Sequence, residues 1–107
     1  MFGAILTHSM LFDAHLDDAY LNFAHLDNAH LDNAHLNNAH LDNAHLVGAT
    51  LLEADCRKAD FRGADLSHAN LRGADLRDAI LPDGFSSNNN DEQKKHLELL
   101  GIPGLKI

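Results

Sequence analysis

From Ala4 to Ala79 every fifth residue is alanine, Ser9 alone excepted. Two places after each stands leucine at fourteen of sixteen positions, with Cys56 and Phe61 at the other two. A fixed period running over residues 4–83 outranks any local secondary-structure preference, because a five-residue unit cannot bury its apolar face alone and must stack on its neighbours. Written as pentapeptides, Ala4–His8 to Ala79–Asp83, columns one and three are small or apolar. The other three columns hold most of the His, Asp, Asn, Arg, Lys and Gly. An α-helix would scatter leucines five apart, since each advances about 140° beyond a whole turn. A straight strand would alternate them between its two faces. A chain that turns a corner every five residues keeps columns one and three inside and shows the rest to solvent.

The runs Ala59-Asp60-Phe61-Arg62-Gly63, Ala64-Asp65-Leu66-Ser67-His68 and Ala69-Asn70-Leu71-Arg72-Gly73 resemble pentapeptide-repeat proteins, whose unit is roughly Ala-(Asp/Asn)-Leu-X-X. The resemblance covers about three quarters of the chain. It implies an all-β fold: a right-handed quadrilateral β-helix, a solenoid of about four coils with four pentapeptides in each. Residues twenty apart would then stack on one face, and at roughly 4.8 Å between neighbouring strands the rod would stand about 20 Å tall. The chain departs from the family in column two. His15, His25, His30, His35, His40 and His45 stand where the family more often has Asp or Asn. The family is commonest in bacteria, cyanobacteria especially.

The expected organisation is a β-helix over 1–83, then a polar loop, a short C-terminal α-helical cap and a tail over 84–107. Ser86 to Asn90 read as the loop. Asn90 is an N-cap candidate for a helix over Asp91–Leu100 that Gly101 ends, and Leu97, Leu100, Ile102 and Leu105 would face the last coil. Leu16, Leu36, Cys56, Phe61 and Leu76 are expected in the core, each buried leucine contributing ~1.5–3 kcal/mol before chain entropy is set against it. One cysteine cannot form an internal disulfide, and an inward Cys56 reads as a small core residue rather than a reactive thiol. No apolar run suggests a membrane span and no charged-then-apolar start suggests a signal peptide, so the expectation is a soluble, cytoplasmic protein.

Function is less constrained. Ile5, Met10, Phe12, Tyr20 and Phe23 occupy outward columns near the N-terminal end and read as an interface, with a homodimer through the first coil as the expected partner. Under the implied coil, His15 stacks with His35 and His25 with His45. Such pairs are candidates for a divalent metal with Asp17 or Asp27 as third ligand. The recurrent His-Leu-Asp pattern also admits a pH-responsive surface, and the plainest reading is a hydrogen-bonding ladder on a solvated sheet. No cofactor is assigned. No set of groups converges on a cleft, so no enzyme activity and no catalytic residue is expected. The net charge of −8 invites comparison with relatives that bind DNA gyrase as DNA mimics, but it divides as −2 on each face and leaves no strong phosphate-like track. Direct nucleic-acid binding lacks its basic stripe. The leading reading is a non-enzymatic structural or protein-interaction module. A DNA mimic acting on gyrase or another topoisomerase is the alternative, and a metal- or pH-responsive histidine surface the minor one.

Overall fold

A computed structural model describes residues 3–82, which wind as a four-sided β-helix. Coil one takes residues 4–23, coil two 24–43, coil three 44–63 and coil four 64–82. The corner is a hydrogen-bonded turn: each column-one amide donates to the column-three carbonyl three residues back, as Ala29 does to Leu26 at 3.0 Å. The column-five residue sits at φ near +60°, for example Asn28, Asn33, Asn38 and Asn43. A positive φ at the third turn position alone defines a type II turn, which favours Gly and Asn. That is why column five is rich in Asn, Asp and Gly.

With two of every five residues spent on the corner, little remains to pair. Each side therefore meets the next coil through a single parallel bridge at column two, such as His25↔His45 and His45↔Asp65. The Leu26 amide donates to the His45 carbonyl (2.7 Å) and the His45 amide to the Ala24 carbonyl (2.9 Å). A third bond joins the corners, from the Asn28 amide to the Val47 carbonyl (2.9 Å). This triad repeats around the rod and fixes a twenty-residue register.

The core is a square stack of leucines with alanines between them. Leu36, Cys56 and Phe61 are wholly buried and Leu76 almost so. Leu16 departs from the expectation: with Leu6 and Leu11 it is only partly buried, because coil one has a packed coil on one side and no described coil on the other. Ser9, the break in the alanine column, is accommodated by its hydroxyl, which donates to the Leu6 carbonyl at 2.5 Å. The expected capping helix over 91–100 lies outside the described residues.

Candidate functional surfaces

Two surfaces stand out, and the way the fold satisfies several of its column-four amides positions the first. In coils three and four the column-two side chain reaches two residues forward. Asp55 accepts from the Arg57 amide, Asp60 from Arg62, Asp65 from Ser67, Asn70 from Arg72 and Asp75 from Arg77, at 3.0–3.4 Å. Histidine has no oxygen to offer. Where the unit's own column-two residue is His35, His45 or Thr50, the column-four carboxylate of the coil below does the work. Asp17 accepts from the Asn37 amide, Asp27 from Val47 and Asp32 from Leu52, each at 3.0 Å. On the side where column two is Ile80, column four is Pro82, which has no amide to satisfy. The His-Leu-Asp pattern thus has a structural basis that column-by-column reading of the sequence missed.

The histidines stack as the twenty-residue coil requires. The His15 and His35 rings lie 4.7 Å apart at 11°, and His25 and His45 4.8 Å apart at 9°. Tyr20 stacks on His40 at 4.7 Å and Phe12 on His30 at 5.5 Å, so the remaining two faces pair histidine with an aromatic ring of coil one. Two groups draw potential metal donors together, His15–Asp17–His35 and His25–Asp27–His45. In each, one donor atom per residue lies within 4.8 Å of the others.

The second surface is the edge of coil one that no described coil covers. Ile5, Met10 and Tyr20 are 79%, 77% and 64% exposed, and with Phe12 and Phe23 they ring the edge on three of the four sides. The backbone there is open as well. Among the described residues, Ile5, Met10, His15 and Tyr20 carry bridges to coil two but make no backbone hydrogen bond through their own amides or carbonyls, whereas each counterpart in coil two makes both. Phe23 holds φ at +60°, a corner conformation that bulky side chains adopt only at a cost.

The upper coils have a different chemistry. Arg57–Asp55, Arg62–Asp60 and Arg77–Asp75 are ion pairs at 2.8, 2.6 and 2.6 Å. The Arg57 guanidinium beside it holds Asp55 at about 2, with Asn37 adding a further hydrogen bond and partial burial opposing both. Arg62 and Arg77 lower Asp60 and Asp75 in the same way. A shallow depression on the third face is lined by Asn37, Asn38, Arg57, Lys58, Arg77 and Asp78. Two of its cations are already paired, and no polar or charged residue among those described is buried. Burial pushes the Cys56 thiol far above its ordinary value, the Asp55 and Asp75 charges adding to the shift.

The coil geometry defines a β-helical solenoid built on pentapeptides. A family model for pentapeptide repeats matches residues 14–51 and 39–78, and the chain belongs to the pentapeptide repeat family. Among solved structures it is similar to a pentapeptide repeat protein from the cyanobacterium Cyanothece 51142, with 33% identity, a TM-score of 0.70, and coverage of 72% of this chain and 53% of that one. It is also similar to a pentapeptide repeat protein of the Arabidopsis thaliana thylakoid lumen, with 31% identity, a TM-score of 0.57, and coverage of 75% and 52%. These neighbours imply that the β-helix is right-handed. The chain spans about half the length of either. No curated protein matches it. Among the described residues, no helix is long and apolar enough to cross a membrane.

Proposed function

We propose that this chain is a non-enzymatic protein-interaction module whose partner is a second copy of itself, docked coil one to coil one. Pentapeptide repeat proteins are in general structural or interaction modules. The observation that carries the reading is the coincidence, on one edge, of unpaired column-two backbone with exposed Ile5, Met10, Phe12, Tyr20 and Phe23. An unpaired strand edge is a template for pairing. A copy turned by a two-fold axis perpendicular to the rod presents the same edge running antiparallel. Each column-two residue then exchanges both bonds with its counterpart, as in an antiparallel hydrogen-bonded pair. Leu6, Leu11 and Leu16 gain the covering layer they lack. The cost accepted at Phe23, where most other corners use Asn, Asp or Gly, fits a side chain kept for what it touches.

A contact one coil wide is smaller than the roughly 800 Å² per partner of a standard interface, so association in the micromolar range is expected. Light-scattering mass measured from low to high micromolar protein should climb from the monomer towards twice 11.7 kDa. Met10→Lys and Phe23→Asn should hold it at the monomer value. A wild-type mass that stays monomeric throughout removes the reading. The DNA-mimic alternative lacks a supporting feature, because Asp55, Asp60 and Asp75 of the upper coils are paired to arginines rather than displayed as a phosphate-like track. Inhibition of gyrase supercoiling by the pure protein would reinstate it.

A further inference from the structure

The geometry points to a divalent transition-metal site of the zinc class on the first face, formed by His25, His45 and Asp27. It is independent of self-association, since it lies between coils two and three. Two imidazoles and a carboxylate are the donor set borderline ions such as Zn²⁺ take, with water completing the shell. The three donor atoms lie within 4.8 Å of one another. Bonds of about 2.1 Å call for donor separations of about 3.0–3.4 Å, so closing the site takes a displacement on the order of 1 Å at each imidazole. The stacked rings do not yet aim their lone pairs at a common point. Both histidines are exposed, and rotation about their side-chain bonds meets solvent rather than packed atoms.

Asp27 is the fixed member. Its Oδ1 accepts from the Val47 amide at 3.0 Å, which orients the carboxylate and leaves Oδ2 for an ion. Such outer-shell hydrogen bonds are what hold metal ligands in place. The surrounding charge also favours a cation. Column two continues above His45 with Asp65, and the neighbouring outward side chains Thr7, His8, Asn28, Val47, Ser67 and His68 include no Lys or Arg. The sister group His15–Asp17–His35 has the same spacing but not the same field. Arg57 stands two coils above Asp17 in the same column and feels its charge, and Asp55, above His35, is tied to that arginine at 2.8 Å. The first face is therefore the stronger site, and an ion there would tie coil two to coil three by a link the backbone does not provide.

Isothermal titration of the untagged full chain with zinc chloride tests this. The expected result is one saturable site, with His25→Ala or His45→Ala lowering affinity by about tenfold or more, while His15→Ala changes it little. Asp27→Asn keeps an oxygen for the Val47 amide and removes the charge, so it should weaken binding with the fold intact, as circular dichroism would verify. Zinc should also raise the melting temperature of the wild type and not that of His45→Ala. The proposal is overturned if zinc gives no saturable heat. It is equally overturned if folded His45→Ala and Asp27→Asn bind zinc as the wild type does, which would mark adventitious surface binding only.

Discussion

Leu16 and Leu36 occupy the same column and the same face one coil apart, so truncating each to alanine isolates the effect of position. Leu→Ala removes three carbons, worth about 2.4 kcal/mol at ~0.8 kcal/mol each where burial is complete. Leu36 is wholly buried. The backbone around it is pinned, its amide donating to the Asp55 carbonyl at 2.7 Å and the His35 amide to the Ala14 carbonyl at 2.8 Å. The walls cannot collapse, and the cavity adds on the order of 1–2 kcal/mol. Leu36→Ala should therefore cost about 3–4.5 kcal/mol, a large part of the total stability of a small domain. Leu16 is partly exposed already, and a gap there opens to water, so Leu16→Ala should cost about 1 kcal/mol in the monomer. Urea titrations followed by far-UV circular dichroism measure both, provided the slopes match the wild type. Repeating them at high protein concentration should enlarge the Leu16 cost alone, because the proposed dimer buries that leucine. Equal costs for the two variants, or a Leu36 cost below about 1.5 kcal/mol, would refute the picture of a tightly packed interior with one open end.

Three further outcomes follow from the geometry. Gly48 sits at φ +71°, and a methyl group there would approach the Asn28 Oδ1 to 2.5 Å, so Gly48→Ala should lower stability by about 1–2 kcal/mol in the same urea assay. Asp55 is depressed from 3.8 to about 2 in the folded state. Its contribution is thus fully present above pH 4 and is lost as pH falls through about 2; the urea midpoint of the wild type should drop over that window more than that of Asp55→Asn, and identical pH profiles would count against the ion pair. Cys56 should ignore an aromatic disulfide reagent in the native protein and react fully in urea, since burial disfavours its thiolate. Rapid labelling without denaturant would show the core of coil three to be open.

The period of five made the fold legible, because only a cornered chain keeps columns one and three inside over sixteen units. Exposure of Ile5, Met10 and Tyr20 followed from the same argument, since column two points outward on every side. Other features needed the structure. Reading columns treats all units alike, yet Leu16 differs from Leu36 only in having a single packed neighbouring coil. The positive φ of column five could have been inferred from Asn28, Asn33, Asn38, Asn43, Gly48, Gly63 and Gly73 standing in one register, a turn signature hidden by grouping that column with the merely polar ones. The candidate metal group was half visible: the imidazole stacks follow from a twenty-residue coil, but the bond from the Val47 amide to Asp27 links residues twenty apart, and no local pattern announces it.

That exchange of acceptors gives the rod an order that cannot be permuted. A coil with aspartate or asparagine in column two satisfies its own corners and can sit on any neighbour. A side with His35 or His45 there instead draws its acceptor from column four of the coil below, which Asp17 and Asp27 supply. Transposing coils two and three would set the His35 side above Arg57 and the His45 and Thr50 sides above Thr7 and Phe12, stranding the Asn37, Val47 and Leu52 amides that now have carboxylate acceptors. Lengthening the protein by copying coil four onto its upper end carries no such penalty. The two kinds of coil are therefore not interchangeable parts, and duplication is least constrained for a coil that carries its own acceptors in column two.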